Sequence, residues 1–397
     1  MSAAVPLKRI ARITYGLGQP PPLTDSGVPI LRATNIERGR IVSKDLIFAA
    51  AEDLPLQRTP LLDAGEVLVV RSGAYTGDSA LVTEQWAGSA PGYDLRLTPM
   101  SAIKPRFLAY SLLGQVAAHS IAVAKNRAAQ PHLNAEDLGM VPIVLHRLEE
   151  QQRIADYPDA ETSRIDELIA EQRHQSVLLG ERLTALVDDV FASGVSWRLK
   201  HLLAAPLAYG AAEPGMSAEG GWPRYIRTTD MTPEGGLRSD TFRSLAPEVA
   251  QPYILRDGDL LLTRSGATVG KAFLYRDSDG PACFAGYLIC VRTDRRRVLP
   301  EYMMHFTRSK YYWDQVREAS FQATIENVSA SRYAEFRVPL LPLDAQAAAV
   351  ERLNAGVHQC RNLQRALDDQ ISLLQEHRQA LITHAVTHGI DGLPGVA

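Results

Sequence analysis

The sequence predicts an α+β protein in which two similar globular domains are separated by two long antiparallel, coiled-coil-like helices. The chain would then be an internal pseudo-twofold repeat. Three observations predict this fold class: an ordered internal repeat, short β-like runs between turn residues, and two long segments with heptad spacing. They divide the 397 residues into five ranges, which are 1–148, 149–195, 196–341, 342–390 and the tail 391–397.

The repeat consists of motifs that occur in the same order in both halves. Val28–Ile36 (VPILRATNI) matches Trp222–Met231 (WPRYIRTTDM), and the turn Arg71–Ala74 matches Arg264–Ala267. Further matches are Gly92–Tyr93 with Gly286–Tyr287, Lys104–Phe107 with Leu299–Tyr302, and Val141–Ile143 with Val338–Leu340. Because the order never changes and the shift stays near 195 residues, the set indicates a duplication.

Short apolar runs bounded by Gly, Pro, Asn and Asp predict strands in each half, and a helical stretch follows them. The first half contains Ile30–Ala33, Val67–Val70, Leu81–Thr83, Leu95–Thr98 and a helix near Phe107–Val123. The second half contains Leu260–Thr263, Ala272–Tyr275, Leu288–Arg292 and a helix near Glu301–Glu318. Both halves therefore have the same predicted plan.

A long helix is predicted after each globular half. The run Glu161–Ser193 follows Pro158 and contains no proline. Its apolar residues follow the alternating spacings of four and three of a heptad, interrupted by polar Gln172 and Ser176. Gly194 and Gly389 are predicted to end the two helices. The residues predicted to form the helix or partner interface are Ile165, Ile169, Leu179, Leu183 and Leu186, with Leu367, Ile371, Leu374 and Leu381 in the second helix.

Composition bounds the cellular setting. The apolar runs are too short to span a bilayer and the N-terminus does not have the pattern of a signal peptide, so we expect a cytoplasmic protein with no membrane contact. The three cysteines form no CxxC pair, which argues against structural zinc. The net charge of −3 divides into +2 and +3 for the globular halves (1–144 and 196–340) and −6 and −2 for the helical ranges.

Motifs of stand-alone catalysis are missing from the sequence, and no metal site is expected. There is no Asp/Asn-Pro-Pro-Tyr, HExxH or GxSxG motif. The segment Gly266–Ala272 imitates a phosphate-binding loop, but it has three residues between its glycines and Ala272 after Lys271. A β-turn is the favoured interpretation, and we predict a chain without a catalytic centre.

The linker into the first long helix resembles the specificity subunits of Type I restriction-modification systems. The resemblance rests on Leu148–Ile154 (LEEQQRI), Glu161–Ile169 (ETSRIDELI), their partial repeat from Pro342 onward, and the two RSG turns. The second junction lacks the RID run and reads Val357–Cys360 (VHQC) instead. The likeness extends over nearly the whole chain.

The resemblance implies a non-catalytic subunit that recognises double-stranded DNA. Each globular domain would be a target-recognition domain for one half of a split target, and the helices would set the spacer. Two modification (methyltransferase) subunits would dock on the helices and methylate adenine with S-adenosylmethionine. Restriction (motor-nuclease) subunits, with ATP and magnesium, would complete the complex. No cofactor is implied for this chain.

Candidate DNA-binding residues lie at matching positions of the two halves. The residues are Arg32, Asn35, Arg71 and Ser72 in the first half and Arg227, Asp230, Arg264 and Ser265 in the second, with the first-half loop Lys125, Asn126, Arg127 and Gln130. Arginine and asparagine can read base edges, but internal salt bridges of Arg32 and Arg227 are an equally good interpretation. The recurrence of Arg71 and Arg264 favours phosphate positioning or turn structure over base reading.

Two other functions stay open at this stage. A coiled-coil scaffold would join partner proteins without reading DNA sequence. A nucleotide-hydrolysing enzyme would use the turn at Gly270 and Lys271, although this is the weakest of the three hypotheses. The Arg295–Arg297 triplet could contact phosphates, but a solvated charge run is the commoner meaning of such a sequence.

Overall fold

A computed structural model describes residues 3–37, 39–125, 131–216, 221–232, 235–321, 327–391 and 393. The chain divides into two compact units: Met1–Gln172 with Asp368–Ala397, and Arg173–Leu367. This division follows packing and splits both long helices, whereas the five ranges predicted from the sequence follow the chain, so those ranges stay a prediction. The fold is 45% helical and 20% strand, which confirms the mixed class.

The elements follow the chain in a similar order in both units. The strands are β1 (Ala3–Pro6), β2 (Ala11–Tyr15), β3 (Val28–Ile30), β4 (Ile36–Glu37), β5 (Arg40–Ile41), β6 (Ile47–Ala49), β7 (Val67–Val69), β8 (Ser79–Leu81), β9 (Leu95–Pro99), β10 (Pro142–Leu145), β11 (Val195–Arg198), β12 (Ala208–Tyr209), β13 (Arg224–Ile226), β14 (Leu260–Thr263), β15 (Ala272–Leu274), β16 (Ala282–Phe284), β17 (Leu288–Val291) and β18 (Arg337–Leu340). The helices are α1 (Pro105–Leu113), α2 (Gln115–Lys125), α3 (Ala135–Gly139), α4 (Leu148–Phe191), α5 (Pro247–Ala250), α6 (Pro300–Phe306), α7 (Lys310–Phe321), α8 (Ala330–Ala334) and α9 (Leu343–His388).

Each unit is built on a four-stranded antiparallel sheet. The strand order is β2-β9-β7-β8 in the first unit and β12-β17-β14-β15 in the second. In the first unit, Val67 and Val69 pack with Phe107 of α1 on one face, while Leu68 packs near Trp86 on the other. Both faces are therefore covered, which explains why β7 is apolar at every position instead of alternating.

The second unit repeats this arrangement with different side chains. Leu260 and Leu262 of β14 pack with Phe306 of α6, and Leu261 faces the other side with Phe273 of β15. A two-stranded antiparallel pairing also joins the start and the end of each globular part. These pairings are β1 with β10 and β11 with β18.

Several predicted boundaries were wrong. The first strand ends at Ile30 because Asn35 accepts the Arg32 backbone N–H and closes a helical turn at residues 33–35. The third runs Ser79–Leu81 rather than Leu81–Thr83. The helix near Phe107–Val123 is two helices that break at Gly114, where a Cβ would lie 2.8 Å from a methyl group of Val386.

The predicted helix near Glu301–Glu318 is also two helices, α6 and α7. Between them, Ser309 donates its hydroxyl to the Phe306 carbonyl at 2.7 Å and accepts the Tyr312 N–H at 3.3 Å. These side-chain bonds take the place of helical backbone bonds at the break. Ser309 lies 195 positions after Gly114, so the two units break this helix at equivalent positions.

The predicted start and end of α4 also need correction. The helix begins at Leu148 and continues through Pro158, because Ile154 and Ala155 are buried in the core just before the proline. That packing outweighs the one backbone hydrogen bond that proline removes. The helix ends at Phe191, three residues before Gly194, whereas Gly389 directly follows α9 with φ +84°.

Within each unit, one part of α4 packs antiparallel on one part of α9. In the first unit, Ile165 and Ile169 form a cluster with Leu381. In the second, Val187 and Val190 share a core with Leu353. Ile165, Ile169 and Leu381, which belong to the apolar positions predicted from the sequence, therefore face the packed interior of the first unit.

A buried glutamine ties the start of each long helix to its globular part. Gln151 accepts the Lys104 N–H at 2.7 Å and donates to the carbonyls of Ala102 and His146. Gln346 accepts the Leu299 N–H at 2.9 Å and donates to two backbone carbonyls, those of Arg297 and Leu341. The glutamine in the linker motif therefore has a structural role in both units.

No single helix in the described ranges is long and apolar enough to cross a membrane. The bent pair α1 and α2 reaches the required length and apolar content only when both helices are taken together. Phe107, Leu112 and Ile121 of this pair are buried in the core of the first unit, whereas Val116 and Val123 are exposed.

Candidate nucleic-acid interface

The RSG turn of the first unit holds an arginine on top of a tyrosine. The Arg71 guanidinium lies 4.9 Å from the ring centre of Tyr15, a cation–π distance. The Tyr15 hydroxyl accepts the backbone N–H of Ala135 at 3.1 Å, so the start of α3 fixes the ring. The Arg71 carbonyl accepts the Leu133 N–H at 2.8 Å. The Tyr15 ring therefore holds the Arg71 side chain, and the hydrogen bond from Leu133 holds the Arg71 backbone.

The second unit repeats this arrangement. The Arg264 guanidinium lies 4.7 Å from the ring centre of Tyr209, and the Tyr209 hydroxyl accepts the Ala330 N–H at 3.0 Å. The Arg264 carbonyl accepts the Val328 N–H at 2.7 Å. Arg264 also donates from Nε to Asn327 at 3.3 Å. We call the Arg71–Tyr15 pair and the Arg264–Tyr209 pair the two arginine–tyrosine stacks.

The serines of the two turns lie next to the stacks. Ser72 is exposed, and its hydroxyl is 2.9 Å from Nδ1 of His132. Ser265 is half-buried and pairs through its backbone with Asn327. The structure therefore brings each predicted serine to the same surface as its neighbouring arginine.

A buried carboxylate lies under the stack of the first unit. Asp94 is 3% exposed and accepts the Arg71 backbone N–H at 3.2 Å, while its second oxygen has no partner in the described part of the chain. Burial raises the pKa of Asp94 to about 6, although the N–H and charge of Arg71 act in the opposite direction. Sequence reasoning did not find this residue.

The candidate base reader Arg32 has no carboxylate partner in the described residues. Its guanidinium donates to the Asp45 carbonyl, and its buried Nε has no described partner. Asn35 is fully buried and uses both ends of its amide, because it accepts from Arg32 and donates to the Val42 and Lys44 carbonyls. Asn35 therefore shapes the loop rather than facing solvent.

The matching pair in the second unit is an internal salt bridge. Asp230 is fully buried and accepts from Arg227 through the backbone N–H, Nε and a terminal nitrogen at 2.8 to 3.1 Å. Arg227 also donates to the Thr241 carbonyl at 2.7 Å. For this unit, the salt-bridge interpretation of the arginine is the one that the geometry supports.

The basic loop of the first unit is described only at its first residue. Lys125 donates from its ammonium to the Thr76 carbonyl at 3.1 Å, which attaches it to the RSG turn. The predicted DNA-binding residues Asn126, Arg127 and Gln130 lie outside the described residues.

An open cleft of about 980 Å³ lies beside the stack of the second unit. Its lining includes Arg227, Arg264, Ser265 and two residues that the sequence analysis did not name as candidates, Arg243 and Tyr287. Arg243 is exposed and Tyr287 is 69% exposed. A concave surface with cations and exposed aromatic rings suits a nucleic acid. In the described ranges, no group of three or more His, Cys, Asp or Glu side chains is placed to hold a metal ion.

Comparison with known proteins identifies the first half of the chain. Residues 23–177 match the family profile described as the Type I restriction modification DNA specificity domain. Over these residues the chain is similar to that domain. A curated relative, the Type I restriction enzyme StySPI specificity subunit of Salmonella potsdam, is 27% identical over 90 residues. That match covers 23% of this chain and spans only about a fifth (19%) of the relative's length.

Two solved structures share the fold over almost the full length. A chain from a structure on complex assembly and conformational transition of the type I R-M system has a TM-score of 0.76 at 18% identity and covers 98% of both chains. The HsdS subunit from Thermoanaerobacter tengcongensis has a TM-score of 0.50 at 19% identity, covering 98% of this chain and 97% of that one. At these identities the likeness shows the fold.

The predicted interface residues of the long helices are buried or only partly exposed. Ile165, Ile169 and Leu381 are buried, and the other six are partly exposed. Ile371 and Leu374 pack against the cluster of the first unit, and Leu186 against the core of the second. Leu179, Leu183 and Leu367 are partly buried as well.

The Arg295–Arg297 triplet and Lys271 already have partners within the chain. Each arginine of the triplet has an aspartate nearby: Arg295 contacts Asp257, while Arg296 and Arg297 contact Asp294. Lys271 donates to the Met231 carbonyl at 2.8 Å, in a turn between the antiparallel strands β14 and β15. A phosphate-binding loop would join a strand to a helix, so the β-turn interpretation is confirmed.

The tyrosines of the stacks could have been found by the rule that found the arginines. Tyr15 and Tyr209 differ by 194 positions, within the range of the repeat, but neither lies in an obvious motif. Arg243 has no such signal. It reaches the cleft only because of how the loops fold.

Proposed function

We propose that the chain is a non-catalytic DNA-recognition subunit that reads a split target, one half with each unit. The observation that carries the proposal is that the second unit repeats the build of the first, which contains the region similar to the specificity domain. The sheet order, the arginine–tyrosine stack and the buried glutamine at the start of each long helix (Gln151 and Gln346, called the glutamine clamp) occur in both units. Two similar modules in one chain can recognise two half-sites on one duplex.

The long helices support the second part of the proposal, a fixed spacer. Helices of 44 and 46 residues are about 66 and 69 Å long, at about 1.5 Å per residue. Both lengths exceed one turn of B-DNA, about 34–36 Å. We propose that these helices set the distance between the half-sites.

The outer faces of the helices support docking of methyltransferase subunits. Large apolar side chains remain 45 to 66% exposed there: Leu168, Val177, Leu178, Leu363 and Leu373. Exposed apolar residues on a helix whose inward stripe is already packed fit a protein partner. In this proposal the partners bind S-adenosylmethionine, ATP and magnesium, and the complex works in the cytoplasm.

Competition binding with the complex purified from its host tests the proposal. We expect the intact split target to displace a labelled duplex more effectively than either half-site, and the protected footprint to contain two segments. Equal affinity for the target and a scrambled duplex would contradict sequence recognition. A complex that binds partner proteins but leaves no footprint would instead support the scaffold.

A further inference from the structure

The proposed function leaves open what the two arginine–tyrosine stacks do. Arg71 and Arg264 are half-buried, and Tyr15 and Tyr209 beneath them are 47% and 41% exposed. In the described part of the chain, the terminal guanidinium nitrogens of both arginines make no hydrogen bond; the only side-chain bond is from Nε of Arg264 to Asn327. Each stack therefore presents donors to solvent from a fixed position.

We infer that Arg71 and Arg264 contact DNA phosphates and position the duplex in the same way on both units, with Tyr15 and Tyr209 as positioning residues. The inference rests on the proposed function, which it makes specific to these residues. Guanidinium groups suit phosphate oxygens because their planar donors can bind two oxygens together, and they stay charged at any physiological pH.

The repetition argues for phosphates rather than bases. The stacking distances agree within 0.2 Å (4.9 and 4.7 Å), and the tyrosine hydroxyl accepts a helix-start N–H in both units. Half-sites of a split target differ in base sequence, whereas their phosphates repeat. A contact that recurs with the same stacking geometry in both units suits the part of the ligand that both half-sites share.

The surface around the second stack suits the sugar-phosphate backbone of DNA. The cleft beside Arg264 is open, and it contains Arg243 and Tyr287 in addition to the stack. Exposed Glu213 is the acidic side chain of the lining, and Asp230 already neutralises Arg227. Arg243 and Arg264 together leave the cleft with a positive excess that attracts phosphate.

The test measures DNA binding by the full chain, isolated with its partner subunits, at several salt concentrations. The probes are two fluorescent duplexes: a sequence that the unsubstituted protein enriches from a random library, and a scrambled version. The variants are Arg71→Ala, Arg264→Ala and the double variant. Matched controls are Arg9→Ala and Arg317→Ala, since both arginines are exposed and lie outside the stacks.

We expect each stack variant to weaken binding to both duplexes by the same factor, roughly three- to tenfold near physiological salt. The slope of log affinity against log salt should fall by about 0.9 for each arginine and about 1.8 for the double variant. The ratio of target to scrambled affinity should not change. The slopes of the control variants Arg9→Ala and Arg317→Ala should stay closer to that of the unsubstituted protein than the slopes of the stack variants do.

The positioning role of the tyrosines needs its own variants. Tyr15→Leu removes the ring under Arg71, so the DNA affinity and the salt slope should both fall toward the values of Arg71→Ala. Tyr15→Phe keeps the ring and should keep most of the slope. Melting temperatures show whether each variant is folded. A Tyr15→Leu variant that is folded and keeps the full slope would overturn the positioning role.

Two results would overturn the phosphate assignment. A changed target-to-scrambled ratio, or a new enriched sequence, would show that the arginines read bases. Unchanged affinity and slope would show that they only support the turn. If the unsubstituted protein binds both duplexes equally, the proposed function fails, but slopes measured on the scrambled duplex still decide the phosphate assignment.

Discussion

The two units place an arginine at the same point of the same turn, yet one carboxyl group changes what that arginine can do. Arg227 is held by the buried carboxylate of Asp230, whereas Arg32 has the amide of Asn35 beneath it and donates to a backbone carbonyl. Arg227 is neutralised inside its own loop. In the described part of the chain no carboxylate contacts Arg32, so the duplicated position is an internal ion pair in the second unit and not in the first.

A second pair of positions shows the same kind of divergence. His305 of the second unit lies 195 residues after Tyr110 of the first, and Asn354 lies 195 after Asp159. Tyr110 donates to Asp159, and His305 shares a hydrogen bond with Asn354 at 2.9 Å. Burial lowers the pKa of His305 to about 4. The fold therefore accepts different hydrogen-bonded pairs at one place, although the buried Nδ1 of His305 has no partner in the described part of the chain.

The largest expected difference comes from removing the carboxylate. Asp230→Ala should lower the free energy of unfolding of the second unit by about 3–5 kcal/mol, because Arg227 loses the partner that holds it. Asn35→Ala in the first unit should cost about 2–3 kcal/mol, since only neutral hydrogen bonds are lost. Urea titration read by hydrogen exchange of each unit measures both changes.

The surface variant Asp240→Ala is the matched control, because Asp240 is exposed and pairs with Arg238 only at the surface. It should change stability by less than about 1 kcal/mol. Equal losses for Asp230→Ala and Asn35→Ala would contradict the difference between the two loops.

Acidification should move the two units in opposite directions. The folded pKa of His305 lies below its unfolded value, so its stabilising contribution is lost as the pH falls from about 6.5 to about 4. The folded pKa of Asp94 lies above its unfolded value, so the first unit gains stability as the pH falls from about 6 to about 4. Each effect is at most about 3 kcal/mol.

The same exchange experiment, repeated across this pH range, checks the signs. His305→Gln and Asp94→Asn should each abolish the response of their own unit and leave the other unit unchanged. Arg308 and Glu301 also influence His305, in opposite directions, so they should not reverse its sign. Parallel pH responses in the two units would refute the assignment.

The glutamine clamp should instead make the units alike. Gln151→Ala and Gln346→Ala each remove three hydrogen bonds from a fully buried side chain and leave backbone groups without partners. We expect losses of about 2–3 kcal/mol that agree between the units within about 1 kcal/mol. Gln152→Ala is the control, since Gln152 is exposed, and it should have almost no effect on the melting temperature.

The smallest effect is expected at Lys271. Its ammonium makes one hydrogen bond to the Met231 carbonyl, so Lys271→Ala should cost about 1 kcal/mol or less. DNA recognition and any ATP turnover of the purified complex should be unaffected. Loss of ATP turnover in this variant would revive the nucleotide-hydrolase hypothesis.

Much of the fold could be predicted because duplication and periodicity are written in the sequence. The strand Leu260–Thr263 agrees to the residue with β14, and the inward stripe of the long helices follows from their spacing. The passage of α4 through Pro158 could not be predicted, since it depends on packing of Ile154 against distant residues. Local preference and tertiary packing oppose each other there, and packing wins.

The site was predictable only in part. Recurrence led to Arg71 and Arg264, and the structure adds Tyr15 and Tyr209 beneath them. Recurrence in the sequence could not separate Arg32 from Arg227, because Asn35 and Asp230 look equally suited to a loop until their burial and partners are known. Asp94 was also missed, as a lone carboxylate after a glycine–tyrosine pair carries no signal.

Sequencing of modified bases in the host genome, with and without this gene, tests the central claim most directly. We predict that a methylated adenine motif of two short parts, separated by a spacer of unspecified bases, disappears when the gene is deleted. Variants in the loops of one unit should then alter only one part of that motif. An unchanged methylation pattern, or loss of a single uninterrupted motif, would contradict recognition by two similar units.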